Sequence, residues 1–209
     1  MPDKRRASAR PAIRRAGSLP MTRRAAARPA TRRATARMPR APIEGPVRLM
    51  FLDVDGTLTD GRIFFDMHGD GRSFWIRDGI ALEWARDHGV LPVVISGRGS
   101  KAVEGRMHDL KLEFYLGIRD KVAVAEQVMA REGVTWGSCI MVGDDLPDVP
   151  LMKRVAWPIA VGDAHAEVKR VARTVTRAPG GLGAVREAVE LMLRHNGTWN
   201  RVLERYEAR

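Results

Sequence analysis

Cysteine, clustered histidine and long apolar runs are what this 209-residue chain has least of. A single cysteine, Cys139, excludes an internal disulfide and a cysteine-based zinc centre; within the apolar stretch SCIMV it reads as a small core residue in a reducing, cytoplasmic setting. The five histidines (68, 88, 108, 165 and 195) stand at no ligand spacing and are expected at solvated helix or loop positions. No apolar run approaches the ~20 residues that span a bilayer, and no apolar segment of the kind a secretory signal needs is present. Acid is nearly missing from the first forty residues. They hold thirteen basic side chains against Asp3 alone, leaving 23 basic and 24 acidic residues in the rest. The formal charge of +11 therefore belongs to the tail, and the body is close to neutral.

That tail is a nine-residue repeat, PDKRRASAR, PAIRRAGSL, PMTRRAAAR and PATRRATAR, with Pro first, paired Arg fourth and fifth, and Ala sixth. Proline at every ninth position breaks a helix. Nine steps of ~100° would in any case turn successive Arg pairs to opposite faces, so no amphipathic membrane helix results. Two readings stand. The tail is an arm that meets nucleic acid or another polyanion through its phosphates, or it is a repeat expansion, with translation beginning as late as Met38. No aromatic or fold-bearing element accompanies the arginines. The expected division is a disordered Arg/Pro/Ala-rich tail over 1–44, one domain over 45–195 and a C-terminal extension over 196–209.

From Val47 onward, short aliphatic runs alternate with helical segments. Strands are expected at 47–54, 90–95, 113–116, 138–142 and 158–161, and helices at 79–88, 100–110, 120–131, 146–153 and 183–194. Runs apolar throughout and separated by helices imply an α/β fold, a Rossmann-like parallel sheet with helices on both faces. Between the first strand and first helix, two aromatic-rich segments flank HGDG and predict a β-hairpin insertion.

Three of these strands run straight into polar residues suited to phosphate or to a hard cation. LMFL meets Asp53, Asp55 and Asp60; VVI meets Ser96; CIMV meets GDDLPD, with Asp144 second. Lys121 opens a helix at the same edge, where the ligands of such sheets bind. The types have a chemical reason. A phosphate monoester is an anion, so a carboxylate nucleophile needs cations between itself and the ester. Mg²⁺ prefers hard oxygens, usually one or two carboxylates with waters and a phosphate oxygen. Asp53 and Asp144 are candidate ligands with the Asp55 backbone carbonyl as a third, and Lys121 and the Ser96 hydroxyl are candidates for holding the phosphate. An aspartate can carry the phosphoryl group covalently while Asp55, two residues on, exchanges protons with leaving group and water. A calcium loop beginning at Asp53 is excluded, because it would require Gly where Leu58 stands and Glu where Phe64 stands.

DVDGTLTDG, ISGR, Lys121 and GDDLPD resemble, in order, the four motifs of the haloacid dehalogenase-like hydrolases. From about Val47 to His195 the chain is similar to the 3-deoxy-D-manno-octulosonate 8-phosphate phosphatase family within them, through RDG, VEGR, DAHAEV, VTRAPGG and GAVRE. The resemblance implies a capless domain, Mg²⁺ dependence, a phosphorylated sugar acid as substrate and a homotetramer in which the hairpin packs on neighbours. It implies Asp53 as nucleophile and Asp55 as acid/base, with Ser96 and Lys121 completing the catalytic set and Asp53, Asp55 and Asp144 the metal site. Substrate contacts map to Asp55, to Trp75, Ile76, Arg77, Asp78 and Gly79, and to Arg98, Arg106 and Lys121. Three positions depart from the family pattern: Trp75, Glu83 in place of a basic residue, and Leu182 within GGLGAVRE. All three fall where the sugar or a neighbouring subunit is expected.

Overall fold

The computed structural model describes residues 42–67 and 69–208, so the repeat tail and His68 lie outside the described residues. Six strands form one sheet in the order β5-β4-β1-β6-β7-β8. They are β1 (Leu49–Leu52), β4 (Leu91–Ile95), β5 (Glu113–Tyr115), β6 (Cys139–Gly143), β7 (Trp157–Ala160) and β8 (Thr174–Val175). Every pairing in it is parallel. The whole of β1 is buried because it lies centrally, Leu49 facing Leu91 on one side and Cys139 on the other. This is why its four residues are all apolar rather than alternating.

Among the described residues the α-helices are α1 (Ile76–Asp87), α2 (Lys101–Asp109), α3 (Lys121–Glu132), α4 (Val149–Met152) and α5 (Ala166–Val171) between strands, and α6 (Ala184–His195) and α7 (Trp199–Arg205) after β8. The path runs outward from β1 to β4 and β5, then crosses back to β6 and runs outward the other way. With right-handed crossovers, this reversal puts α1 and α2 on one face and α3, α4 and α5 on the other. The crevice where the order reverses, beside the carboxyl ends of β1 and β6, is the place where such sheets bind ligands.

Between β1 and α1, β2 (Phe64–Asp66) and β3 (Gly69–Gly71) pair antiparallel, and an isolated bridge from Thr59 to Phe74 closes the foot of the insertion. The 196–209 segment includes α7, whose Trp199 and Val202 are buried, with the Trp199 ring 6.0 Å from that of Trp84 on α1. These residues extend the core. Most boundaries shift by one or two residues from expectation, β1 for instance being Leu49–Leu52 within 47–54, and two departures have a local cause. Helix α1 begins at Ile76, because the Trp75 carbonyl accepts the Asp78 and Gly79 amides, so most of WIRDG is helical rather than loop. The expected 146–153 helix is a 3₁₀ turn (Leu146–Asp148) followed by the short α4, with Pro150 removing an amide that a continuous helix would use.

Candidate active site

Asp53 follows β1 directly, its amide still bonded to the Val142 carbonyl of β6. The chain then turns tightly, the Val54 carbonyl accepting the amides of Thr57, Leu58 and Thr59. Thr59 locks the turn: its hydroxyl donates to the Val54 carbonyl at 3.2 Å and accepts from the Gly56 and Gly61 amides. Gly56 has φ +92°, and a Cβ there would lie 2.2 Å from Asp144 Oδ2, so only glycine lets the two acidic loops meet. Thr57 Oγ1 donates to Asp144 Oδ1 at 3.2 Å.

Lys121 stands at the first position of α3, whose Asp120 cap accepts the amides of Val122 and Ala123. Its buried Nζ donates to Asp53 Oδ1 at 2.5 Å and to Asp148 Oδ1 at 2.7 Å. The other Asp148 oxygen accepts the amides of Asp144 and Asp145, which fixes the GDDLPD turn. Carboxylate oxygens of Asp53, Asp144 and Asp148 all lie within 4.8 Å of one another.

Such crowding is electrostatically costly. Burial, and then the neighbouring Asp148 charge, push Asp53 up to about 6 despite Lys121. Burial, with Asp53 and Asp148 beside it, pushes Asp144 up to about 7. Burial alone would lower Lys121, but Asp53 and Asp148 outweigh it and hold the ammonium above its ordinary value. Three hard-oxygen donors, with one lysine bonded to two of them, fit a small divalent cation, which would relieve their repulsion.

The cluster brings together Asp53, Lys121 and Asp144 as expected, and adds Asp148, which sequence reasoning left without a role although it ends the same motif. Asp55 is adjacent, but its side chain turns to Arg72, whose Nε donates to Asp55 Oδ1 at 2.7 Å. Ser96 is buried at the end of β4, where its hydroxyl accepts the Arg98 amide at 3.3 Å. Arg98 is exposed beside it.

The residues expected to meet the sugar separate into two groups. Gly79 and Arg106 touch: a Cβ on Gly79 would lie 2.6 Å from Arg106 Nη2, so the glycine makes room for the guanidinium. Arg106 also binds Asp109 at 2.5 Å and keeps a buried Nε with no hydrogen-bond partner among the described residues. Asp78, by contrast, is buried with both oxygens on α6, accepting the Arg186 amide at 2.7 Å and the Gly183 amide at 3.3 Å. That is the position of a helix-capping side chain. Ile76, Arg77 and Trp75 are exposed, and Arg77 lines a groove with Trp84, Arg186 and Tyr206. Glu83 is exposed on α1, where its charge acts on Arg205 of α7.

One loop was read only as part of a resemblance and has a physical role. Gly181 donates its amide to the Thr57 carbonyl at 2.9 Å, and Asp163 Oδ1 accepts the Gly180 amide at 2.9 Å. A Cβ on Gly180 would fall 1.7 Å from the Gly56 carbonyl oxygen. The APGG segment is thus pressed backbone to backbone against the Asp53–Asp60 turn.

A doubly wound parallel sheet that gathers three carboxylates and one lysine at its switch point has the arrangement of a haloacid dehalogenase-like hydrolase, and the family model of that description matches residues 119–185. The 3-deoxy-D-manno-octulosonate 8-phosphate phosphatase KdsC of Escherichia coli (strain K12) is 37% identical over 153 residues, 72% of this chain and 81% of that enzyme. The enzyme of the same name from Haemophilus influenzae is 34% identical over 72% of this chain and 85% of its own length. A crystal structure of 3-deoxy-D-manno-octulosonate 8-phosphate phosphatase from Moraxella catarrhalis, in complex with magnesium ion, phosphate ion and KDO, superposes with a TM-score of 0.74 at 29% identity, covering 77% of this chain and 93% of that one. The chain belongs to the 3-deoxy-D-manno-octulosonate 8-phosphate phosphatase family of these hydrolases.

Proposed function

We propose that the protein is a Mg²⁺-dependent phosphatase that converts 3-deoxy-D-manno-octulosonate 8-phosphate to 3-deoxy-D-manno-octulosonate and phosphate. The observation that carries this reading is the Lys121 ammonium bridging buried Asp53 and Asp148, with Asp144 in the same cluster. Asp53 and Asp144 would hold the metal with the Asp55 backbone carbonyl, and Asp148 belongs to the same cluster. A Mg²⁺ bound there supplies positive charge against a phosphate dianion.

The chain's own residues perform the remainder. An Asp53 oxygen attacks phosphorus, and the bond to the sugar oxygen breaks with its electron pair leaving on that oxygen. Asp55 gives the departing oxygen a proton. As a carboxylate, Asp55 then takes a proton from water, whose oxygen attacks the phosphoryl group, breaks its bond to Asp53 and frees phosphate. Lys121 and Ser96 hold the phosphoryl oxygens. Arg106 and Arg98 meet the sugar carboxylate, for which the planar guanidinium fork is suited.

The assembly we propose is a cytoplasmic homotetramer. Phe64, Phe65 and Met67 on the hairpin are 59%, 76% and 90% exposed, an apolar surface suited to a neighbouring copy. A reducing compartment suits Cys139, whose thiol is pushed up to about 12 by burial. No helix among the described residues is long and apolar enough to cross a membrane. The expected boundary at 44 shifts, because Glu44 is tied to the domain by its amide donating to the Gly137 carbonyl and its carboxylate accepting from the Thr135 hydroxyl. The test is phosphate release from a panel of sugar phosphates with Mg²⁺ and with EDTA. The eight-carbon sugar acid ester should be preferred over neutral hexose phosphates, and equal rates on both would overturn the substrate assignment.

A further inference from the structure

Arg72, at the foot of the hairpin, has no part in the chemistry just described, yet its side chain is 0% exposed and reaches the acid/base. Its Nε donates to Asp55 Oδ1 and its Nη1 to Asp70 Oδ2, both at 2.7 Å. Asp70 lies on β3 opposite Phe65. One guanidinium therefore ties the turn after β1 to the hairpin. The third nitrogen, Nη2, is buried with no partner among the described residues.

A fastener between two loops gains nothing from this design. Burying a guanidinium is costly, and leaving one of its N–H groups without an acceptor adds to the cost, whereas apolar side chains of similar volume would join the loops at least as firmly. What a planar, two-contact fork does provide is direction. With Nη1 anchored on Asp70, the Nε–H vector is fixed, and with it the place of the Asp55 oxygen that accepts it. Asp55 otherwise sits on a turn with rotatable side-chain bonds, and a proton donor must stand within hydrogen-bond reach of the departing oxygen.

We propose that Arg72 is a positioning residue for Asp55, holding one carboxylate oxygen so that the other is presented to the leaving group, with Asp70 as the anchor. The inference rests on the functional reading that makes Asp55 the proton donor. It makes the hairpin a working part of the site.

The test compares kcat/KM for two esters, 3-deoxy-D-manno-octulosonate 8-phosphate, whose alkoxide must be protonated as it leaves, and p-nitrophenyl phosphate, whose acidic phenol departs without that help. Arg72→Ala should lower kcat/KM for the sugar ester at least about tenfold, through kcat, and that for the aryl ester by no more than about threefold. Arg72→Lys, which can still reach one carboxylate, should recover part of the loss. Equal losses on both esters, a loss confined to KM, or full activity of Arg72→Ala overturns the proposal. Should Arg72→Ala fail to fold, Asp70→Asn on the hairpin must show the same inequality in smaller measure, and equal or absent effects there overturn it as well. A wild type that cleaves neither ester refutes the functional reading and takes this inference with it. A wild type that cleaves both, with Arg72→Ala affecting them equally, refutes the positioning role alone.

Discussion

Replacing Asp144 by asparagine removes one of three crowded carboxylates while keeping the shape that fills the space over Gly56. Without a cation, burial and the charges of Asp53 and Asp148 raise Asp144 from its ordinary 3.8 to about 7. That rise corresponds to ~4 kcal/mol. Asp144 is only partly buried, and solvent screening reduces the expected effect to ~2 kcal/mol. A carboxyl with a raised folded pKa binds more protons folded than unfolded, so its contribution to stability is complete below 3.8 and is lost as pH rises through about 7. In EDTA, denaturant unfolding should find wild type and Asp144→Asn nearly equal at pH 4, with the variant more stable by ~2 kcal/mol at pH 8. Mg²⁺ should act in the opposite sense. If losing a ligand weakens the site a hundredfold, the variant forgoes ~2.7 kcal/mol of linkage stabilisation, enough to return the wild type to the upper place at pH 8. A variant no more stable than wild type at pH 8 in EDTA, or one whose lead grows with Mg²⁺, would refute the reasoning.

Lys121→Met strands Asp53 and Asp148 without their shared cation and should cost ~3 kcal/mol at pH 8, seen as a melting temperature about 6–12 °C lower. The loss should shrink at pH 5, where Asp53, raised to about 6 by burial, takes up a proton. Gly180→Ala places a methyl 1.7 Å from the Gly56 carbonyl oxygen; it should cost ~1–3 kcal/mol and lower kcat with little change in KM, since the turn that moves carries Asp53 and Asp55. Arg106→Ala should raise KM for the sugar acid ester at least tenfold, about 1.4 kcal/mol of binding. Glu83→Lys should leave KM unchanged, because Glu83 acts on Arg205 at the α7 side of α1; a shift in KM would place it in the pocket instead.

The parts legible in the sequence were those written by one local pattern. LMFL, LPVVI and CIMVG are apolar because each is covered on both faces, and the polar residue following each run, Asp53, Ser96 and Asp144, marks the carboxyl edge. What escaped was written by contacts between distant positions or in very short elements. Strand β8 is two residues long and extends the sheet only by pairing with β7. Helix α7 earns its place through Trp199 against Trp84, a partner more than a hundred residues away. The WIRDG motif was placed as a substrate loop, yet Asp78 within it reads the α6 amides, a relation only the fold creates. Asp148 was visible as the last acid of GDDLPD, but that its carboxylate is shared between Lys121 and two amides depends on the 3₁₀ turn bringing it back. Arg72 carried no pattern, and Thr57 and Thr59, though inside DVDGTLTDG, have roles that only their partners disclose.

The most direct test of the account is whether Asp53 itself carries the phosphoryl group. Enzyme mixed with Mg²⁺ and 3-deoxy-D-manno-octulosonate 8-phosphate labelled at phosphorus should, on rapid acid quenching, yield a labelled peptide containing Asp53, and Asp53→Asn should neither label nor turn over. Steady turnover by Asp53→Asn, or label recovered on any other residue, would contradict it.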